Sequence, residues 1–151
     1  MASEKFSEFT DGGNLQSGDI VVGLRSASPL DNFKFTYPGG SSFTFTEVTG
    51  TSQNMAVNNG YIANNVALVT LTLPATSAVG DYIYIQGKGA GLYKIAQNAG
   101  QTIHVGATAT TTGVLGSLSA DAQYNSIMLL CITANNDWAS LTGPQGNFTA
   151  V

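Results

Sequence analysis

The sequence predicts an all-β protein: a β-sandwich or a jelly-roll-like barrel that follows an extended N-terminal arm. Three observations support this fold class. Short apolar segments alternate with polar residues at a period of two, which is the spacing of a strand with one buried face. Gly, Asn and Pro separate these segments at short intervals, as turns do in sandwiches and barrels. No long window has the i, i+3, i+4 apolar spacing of an amphipathic helix.

The chain of 151 residues is most simply one β-rich domain with a tail. Residues 1–18 are polar and contain three glycines. We therefore expect an extended arm there, although a disordered terminus would have the same composition. Residues 19–151 form a single domain, with a lead-in hairpin region over 19–50 and a main β module over 51–151. Six of the nine acidic residues precede Gly50, which sets the first third apart in composition.

Two aromatic segments in the lead-in region predict a β-hairpin. FKFTY (33–37) and FTFTE (43–47) flank the turn signal Pro38-Gly39-Gly40, in which proline and glycine suit the two central positions of a tight turn. The alternation places the aromatic side chains on one face, which is either a core face or a contact surface for a partner. These residues are Phe33, Phe35, Tyr37, Phe43 and Phe45.

The segment DYIYIQ (81–86) adds two further aromatic candidates. Its alternation separates Ile83 and Ile85 from Tyr82 and Tyr84, so the tyrosines lie on the face opposite the isoleucines. Tyr82 and Tyr84 could stack on sugar rings, but tyrosines of this kind are more often core or subunit contacts. We therefore count them among the candidate partner-contact residues.

One later segment is apolar on both faces. SIMLLCIT (126–133) has no polar alternation, so we expect a central strand that is covered on both sides. The other strand patterns of the main module alternate normally; they are VALVTLTL (66–73), QTIHV (101–105) and NDWASLTG (136–143).

The glycine-rich stretch GKGAG (87–91) raises the question of a phosphate-binding loop. Such a loop needs a lysine followed by Ser or Thr and then a helix, whereas Lys88 precedes a glycine and LYKI (92–95) is strand-like. The glycine spacing of a dinucleotide fingerprint is absent as well. The stretch therefore predicts a tight connection between two strands, with glycines at positive φ.

The remaining chemistry-bearing residues do not form a recognisable site. His104 is the only histidine, which excludes a site with two histidine ligands, and it reads as a surface or interfacial residue. Cys131 lies among aliphatic residues and is expected to be buried and inert. Asp121 and Asp137 have no spacing that argues for a carboxylate pair, and Trp138 is more often core than a sugar platform. We predict no catalytic residue, no cofactor and no metal.

The charge content points to assembly. Charged residues make up 9% of the chain, against about 25% in an average soluble domain. The net charge of -4 lacks the basic clusters of a nucleic-acid-binding protein. No apolar run is long enough to span a membrane, and the start MASEKFSEFT has no signal-peptide core. A chain so poor in charge could hide apolar sheet faces against copies of itself, so we expect an assembly of several copies.

Several stretches together resemble a module of bacteriophage virion proteins, found in tail-fibre-like chains and small head-associated proteins. The closest likeness covers 58–148, where a GKGAG loop, an AQNAGQTIH strand, a double-sided strand and a Trp strand follow in order. The front segment FSEFTDGGNLQSGDIVVGLRSASPLDNFKF (6–35) resembles the lead-in of phage fibre-type proteins. This resemblance implies virion structure, β-rich folding and often trimers, with the major capsid protein or another virion protein as partner.

The functional expectation follows from charge content and resemblance together. It is a non-enzymatic virion structural protein, made in the host cytoplasm: a trimeric capsid decoration (cementing) protein that stabilises the head shell. The alternative is a small tail-fibre or adsorption protein whose loops bind host surface glycans. A third reading, an enzyme that degrades surface polysaccharide, would need two carboxylates in one groove.

Overall fold

The computed structural model describes residues 20–24, 32–36 and 43–151, and it contains strands and no helix in these ranges. The first two strands, β1 (Ile20–Leu24) and β2 (Asn32–Thr36), pair antiparallel. The predicted arm and Tyr37 lie outside the described residues. All other strands belong to a compact unit that begins at Phe43.

Twelve strands build the compact unit, and short loops connect them. They are β3 (Phe45–Val48), β4 (Ser52–Asn54), β5 (Asn59–Ala63), β6 (Val69–Thr72), β7 (Tyr82–Gly87), β8 (Tyr93–Ala96), β9 (Thr102–Val105), β10 (Thr108–Ala109), β11 (Ser117–Ala120), β12 (Ser126–Thr133), β13 (Asp137–Ser140) and β14 (Phe148–Ala150).

These strands form two sheets with one hydrophobic core. The seven-stranded sheet has the order β10-β9-β13-β12-β7-β5-β3, and the five-stranded sheet has the order β14-β11-β8-β6-β4. Ile83, Leu129 and Trp138 of the first sheet and Leu71 and Ile95 of the second are all fully buried in one cluster. The all-β prediction is confirmed, and the two layers are those of a β-sandwich. Jelly rolls are antiparallel throughout, whereas both sheets here are mixed, with five parallel pairings.

The parallel pairings arise because the chain from β3 to β8 alternates between the sheets. Each pair of strands, β3 with β4, β5 with β6 and β7 with β8, makes one coil, and each coil lies beside the next in both sheets. Phe45 aligns with Gly60, and Gly60 aligns with Tyr84. The hairpin predicted between 33–37 and 43–47 is therefore wrong: β2 pairs with β1, and β3 pairs in parallel with β5.

The glycine-rich loop connects two sheets, and its glycines serve close packing. None of Gly87, Gly89 and Gly91 is among the glycines with positive φ; the following residue, Leu92, has φ 62° instead. A Cβ on Gly91 would lie 2.2 Å from the backbone of Ala67 in the neighbouring coil. The prediction of a strand connection is confirmed, but the predicted positive φ values are wrong. Small residues are needed because the loop that joins the two strands of one coil packs its backbone directly against the backbone of the corresponding loop in the next coil.

A buried network of side-chain amide hydrogen bonds holds the loops together at the end of the strands opposite the glycine-rich loop. The Gln101 side chain is fully buried; its Oε1 accepts a bond from Asn98 N at 2.8 Å, and its Nε2 donates to Pro74 O at 2.7 Å. The Gln97 amide donates to Thr111 O at 3.1 Å and accepts a bond from the Thr110 hydroxyl. Buried polar groups are stable only when they are paired in this way.

Candidate functional site

The outer face of the five-stranded sheet is polar. One row of outward side chains crosses all five strands and consists of Ser52, Thr70, Lys94, Ser119 and Thr149. On the three inner strands the residues that alternate with them point into the core and are buried, among them Leu71, Ile95 and Leu118. Hydroxyl-bearing side chains on one face and aliphatic side chains on the other are what a half-solvated sheet requires. This face is therefore suited to contact with water.

The outer face of the seven-stranded sheet is apolar in its central strands. Tyr84 lies between Gly60 of β5 and Met128 of β12, and in the next row Leu130 lies between Tyr82 and Ala139. No charged side chain occurs at these positions. The two sheets of the sandwich therefore expose faces of opposite chemistry, and the apolar face is the candidate functional site.

Four of the seven predicted contact residues meet on this face and form an aromatic cluster: Phe43, Phe45, Tyr82 and Tyr84. The Phe43 ring stacks on Tyr82 with centroids 5.3 Å apart and planes 16° from parallel. Phe45 meets Phe43 edge-on at 5.2 Å and Tyr84 edge-on at 5.7 Å. Both arrangements are favourable for aromatic pairs. The side chains of Phe33 and Phe35, like Tyr37, lie outside the described residues.

Part of the aromatic cluster has a role within the chain. The Phe45 ring covers Gly60, so closely that a Cβ on Gly60 would lie 2.4 Å from ring atom Cδ1. An aromatic ring over a strand glycine supplies the cover that the glycine lacks. Phe45 is nevertheless 51% exposed, because β3 is the edge strand of its sheet.

Replacing Phe45 by alanine is expected to lower the free energy of unfolding by about 1 kcal/mol, the usual worth of such an aromatic contact. Gly60→Ala should also destabilise the native chain, because its new methyl group meets the ring. In the Phe45→Ala background the same Gly60→Ala change should be neutral or stabilising by about 0.5–1 kcal/mol, since alanine suits a strand interior better than glycine. Urea unfolding of the four chains completes the cycle. Additive effects of the two changes would contradict the contact.

A second group of apolar side chains, the aliphatic strip, lies beside the aromatic cluster. Met128 and Leu130 on β12 are half-buried, and Ile132 and Leu141 are 46% and 51% exposed. Leu141 is next to Met128, since its backbone N–H donates to the Met128 carbonyl at 3.0 Å. The aliphatic strip is defined as these four residues. Sequence reasoning missed it as a site, although it identified the double-sided pattern of 126–133.

The sequence predicted that β12 is covered on both sides. Within the described residues, only its inner side is fully covered. β12 is the fourth of seven strands and therefore central. Its inward residues Ile127, Leu129 and Cys131 are buried, whereas the outward residues of the aliphatic strip keep part of their surface exposed. The outer side of a strongly apolar central strand is thus left partly uncovered.

Ionisable groups lie around the apolar face. At the β3 side, Lys88 pairs with Glu47, and the hydrogen bonds from Lys88 and Asn64 hold the pKa of the Glu47 carboxyl below its usual range. At the opposite side, His104 Nε2 lies 3.3 Å from Asp137 Oδ1, and both side chains are about one-third exposed. An apolar centre with a polar rim is the anatomy of a protein interface.

The other residues considered from the sequence do not converge. Trp138 and Cys131 are fully buried in the core, as expected. Asp121 accepts a bond from Asn125 beside the five-stranded sheet, whereas Asp137 lies next to His104 on the other sheet. Among the described residues, no group of three or more His, Cys, Asp or Glu side chains is arranged to hold a metal ion. The same residues include no helix with the length and apolarity to cross a membrane.

Two shallow clefts lie at the ends of the strands, and neither is lined by an ionisable side chain. The first has a volume of about 230 Å³ and lies between β9–β11 and β14, next to Val105, Leu118 and Phe148. The second has a volume of about 280 Å³ and lies near Met55 and Asn98.

Comparison with known proteins gives no relative for this chain: no protein-family model matches it, and no curated protein matches it. A functional proposal therefore rests on the chemistry of the two sheet faces.

Proposed function

We propose that this protein is a non-enzymatic structural component of a bacteriophage virion, and specifically a trimeric decoration protein that cements the head shell. The observation that carries the proposal is the apolar outer face of the seven-stranded sheet, whose central rows hold no charged side chain. A face of this chemistry is suited to a permanent protein neighbour, because exposed apolar patches of this kind mark interaction sites. The polar face of the other sheet is suited to solvent.

The low charge of the chain supports the same proposal. With 9% charged residues, a solitary subunit would have little to keep it in solution. Burial of apolar faces between subunits removes that difficulty. A trimer also presents three copies of each contact to the shell, so that three weak contacts act together through their high effective concentration.

The proposed stabilisation follows from linkage. A protein that binds the assembled shell and not its dissociated subunits stabilises the shell by RT ln(1 + [L]/Kd), where [L] is the free concentration of that protein. This stabilisation is about 2.7 kcal/mol when [L] is 100 times Kd. Its partners are then other copies of itself and the major capsid protein, and its location is the virion. The aromatic cluster, which includes the partly exposed Phe45, is the surface proposed for contact with the shell.

Electron cryomicroscopy of particles tests the location. We expect density for this chain at symmetry-related positions on the head, and heads that lack it should release their genome at a lower temperature than complete heads. Re-addition of the purified protein should restore the original temperature. Density at the tail tip, together with heads that are equally robust without the protein, would contradict the decoration role.

A second candidate function is adsorption to host surface glycans, and the aromatic cluster also favours it. Sugar rings stack on aromatic faces, and amide side chains such as Asn58 and Gln86 lie next to the tyrosines on β7. Tyr124, in the loop before β12, is 70% exposed. A glycan array probed with the purified protein separates the two functions. Binding that is lost in Tyr82→Ala and kept in Ser119→Ala, on the polar face, would support adsorption.

A further inference from the structure

We propose that the aliphatic strip is a self-association surface and that a second copy of this chain covers the outer side of β12. This inference deepens the trimeric assembly of the proposed function, on which it rests for its biological setting. It assigns the subunit contact to Met128, Leu130, Ile132 and Leu141, and it leaves the aromatic cluster free for another partner.

The first argument is the chemistry of β12 itself. Over Ser126–Thr133 the strand has aliphatic or sulfur-containing side chains on both faces. Strands of this composition are found where both faces of the sheet are covered. The core covers Ile127, Leu129 and Cys131 completely, while the outward side chains remain half-buried or exposed. Within the described part of the chain, the outer side of β12 is therefore only partly covered.

The second argument is that the aliphatic strip suits a copy of itself. Next to the symmetry axis of an oligomer each residue meets its own copies, so a cluster of one charge sign there would repel its copies. β12 has no charged residue, and its neighbours across the face are Tyr82, Tyr84, Ala139 and Leu141. Asp137 pairs with Thr133 at the end of β12, and its side chain is about one-third exposed, so water still reaches it. A partner with a charged surface would instead leave its charges unpaired against aliphatic groups.

The third argument is size. The seven strands, with six spacings of about 4.8 Å, span roughly 29 Å, and β12, with eight residues at up to about 3.3 Å each, spans roughly 26 Å. The whole outer face is therefore of the order of the ~800 Å² that each partner contributes to a stable interface. The aliphatic strip occupies one part of this face and contributes a share of that area.

The fourth argument separates the aliphatic strip from the aromatic cluster. The aromatic rings already have partners in the chain, because Phe43 stacks on Tyr82 and Phe45 covers Gly60. Leu130 has cross-strand neighbours on either side, but the outward ends of Ile132 and Leu141 stay about half exposed. Phe45 is 51% exposed as well, so each of the two surfaces gains from a neighbour of its own, at about 25 cal/mol for each Å² of apolar surface buried.

Light scattering coupled to size-exclusion chromatography of the full chain tests the inference. We expect three times the mass of one chain for the wild type. Leu130→Lys should raise the dissociation constant about 100-fold or more, because it would bury an unpaired charge. Leu141→Lys should do the same with less risk to folding, since Leu141 is 51% exposed. The matched control is Thr72→Lys, at an outward position of the five-stranded sheet between Asn54 and Ala96.

The outcomes separate the two proposals. An oligomer that persists in both strip variants overturns the aliphatic strip as the contact and leaves the structural role intact. A wild-type chain that is monomeric at every concentration overturns self-association. A trimer that sits on the tail in particles supports the strip and contradicts the decoration role.

Discussion

Replacing Gln101 by leucine is expected to lower the free energy of unfolding by about 3–5 kcal/mol. The leucine has a similar volume, so the change removes hydrogen bonds without leaving a large cavity. It leaves the Asn98 backbone N–H and the Pro74 carbonyl without their partner, and each unpaired buried group costs about 1–3 kcal/mol. Because Gln101 is fully exposed in the unfolded chain and 0% exposed in the native one, the full penalty falls on the folded state.

Urea unfolding followed by circular dichroism measures this effect. Gln123→Leu is the matched control, since the Gln123 amide makes one exposed bond, to the Lys88 carbonyl at 2.8 Å. The control should change stability by less than about 0.5 kcal/mol, as surface substitutions do. A Gln101→Leu chain that unfolds at the urea concentration of the control would show that the amide network does not hold the loops together.

Replacing Gly91 by alanine is expected to lower the free energy of unfolding by about 2–4 kcal/mol. The added Cβ would lie 2.2 Å from both the carbonyl carbon and the oxygen of Ala67. The backbone of a neighbouring coil cannot change rotamer as a side chain can. The loops of the two coils must therefore move apart to admit the methyl group. Insertion of a methyl group into a well-packed site costs 1–3 kcal/mol or more.

Gly143 supplies the control for this change. A Cβ on Gly143 would meet nothing within 4 Å, and Gly143 is not among the glycines with positive φ. Gly143→Ala should therefore be neutral or slightly stabilising, because alanine restricts the unfolded chain. Equal thermal stability of the Gly91→Ala and Gly143→Ala chains would contradict the close approach of Gly91 to the backbone of Ala67.

The period of two predicted many of the strands and the direction of their side chains, but not β4, β5, β11 or β14. In β7, for example, Ile83 and Ile85 are buried, and Tyr82 and Tyr84 point outward, as the alternation requires. The parallel coils could not be predicted, because they have no sequence repeat. The aligned residues are Phe45, Gly60 and Tyr84, so one step along the sheet takes 15 residues and the next takes 24. Local turn chemistry therefore suggested that 43–47 pairs with 33–37, whereas β3 pairs in parallel with β5.

The candidate site was predictable in part. The outward position of Tyr82 and Tyr84 followed from alternation, but their stacking with Phe43 and Phe45 depends on the parallel pairing of β3, β5 and β7. The glycines of 87–91 were recognised as a strand connection, yet their reason for being glycine is a neighbour 24 residues away from Gly91, at Ala67. Contacts between residues distant in the chain leave no local pattern to read.

The most direct measurement of an apolar sheet face buried between copies is the oxidation rate of Met128. Met128 lies in the aliphatic strip, whereas Met55 is 4% exposed in the core and serves as an internal reference. Peptide mass spectrometry after brief peroxide treatment reports sulfoxide formation at each residue, which follows exposure. We expect Met128 to be nearly as protected as Met55 in the assembled wild type and to react several times faster in Leu141→Lys. Equal and rapid oxidation of Met128 in both chains would contradict the assembly.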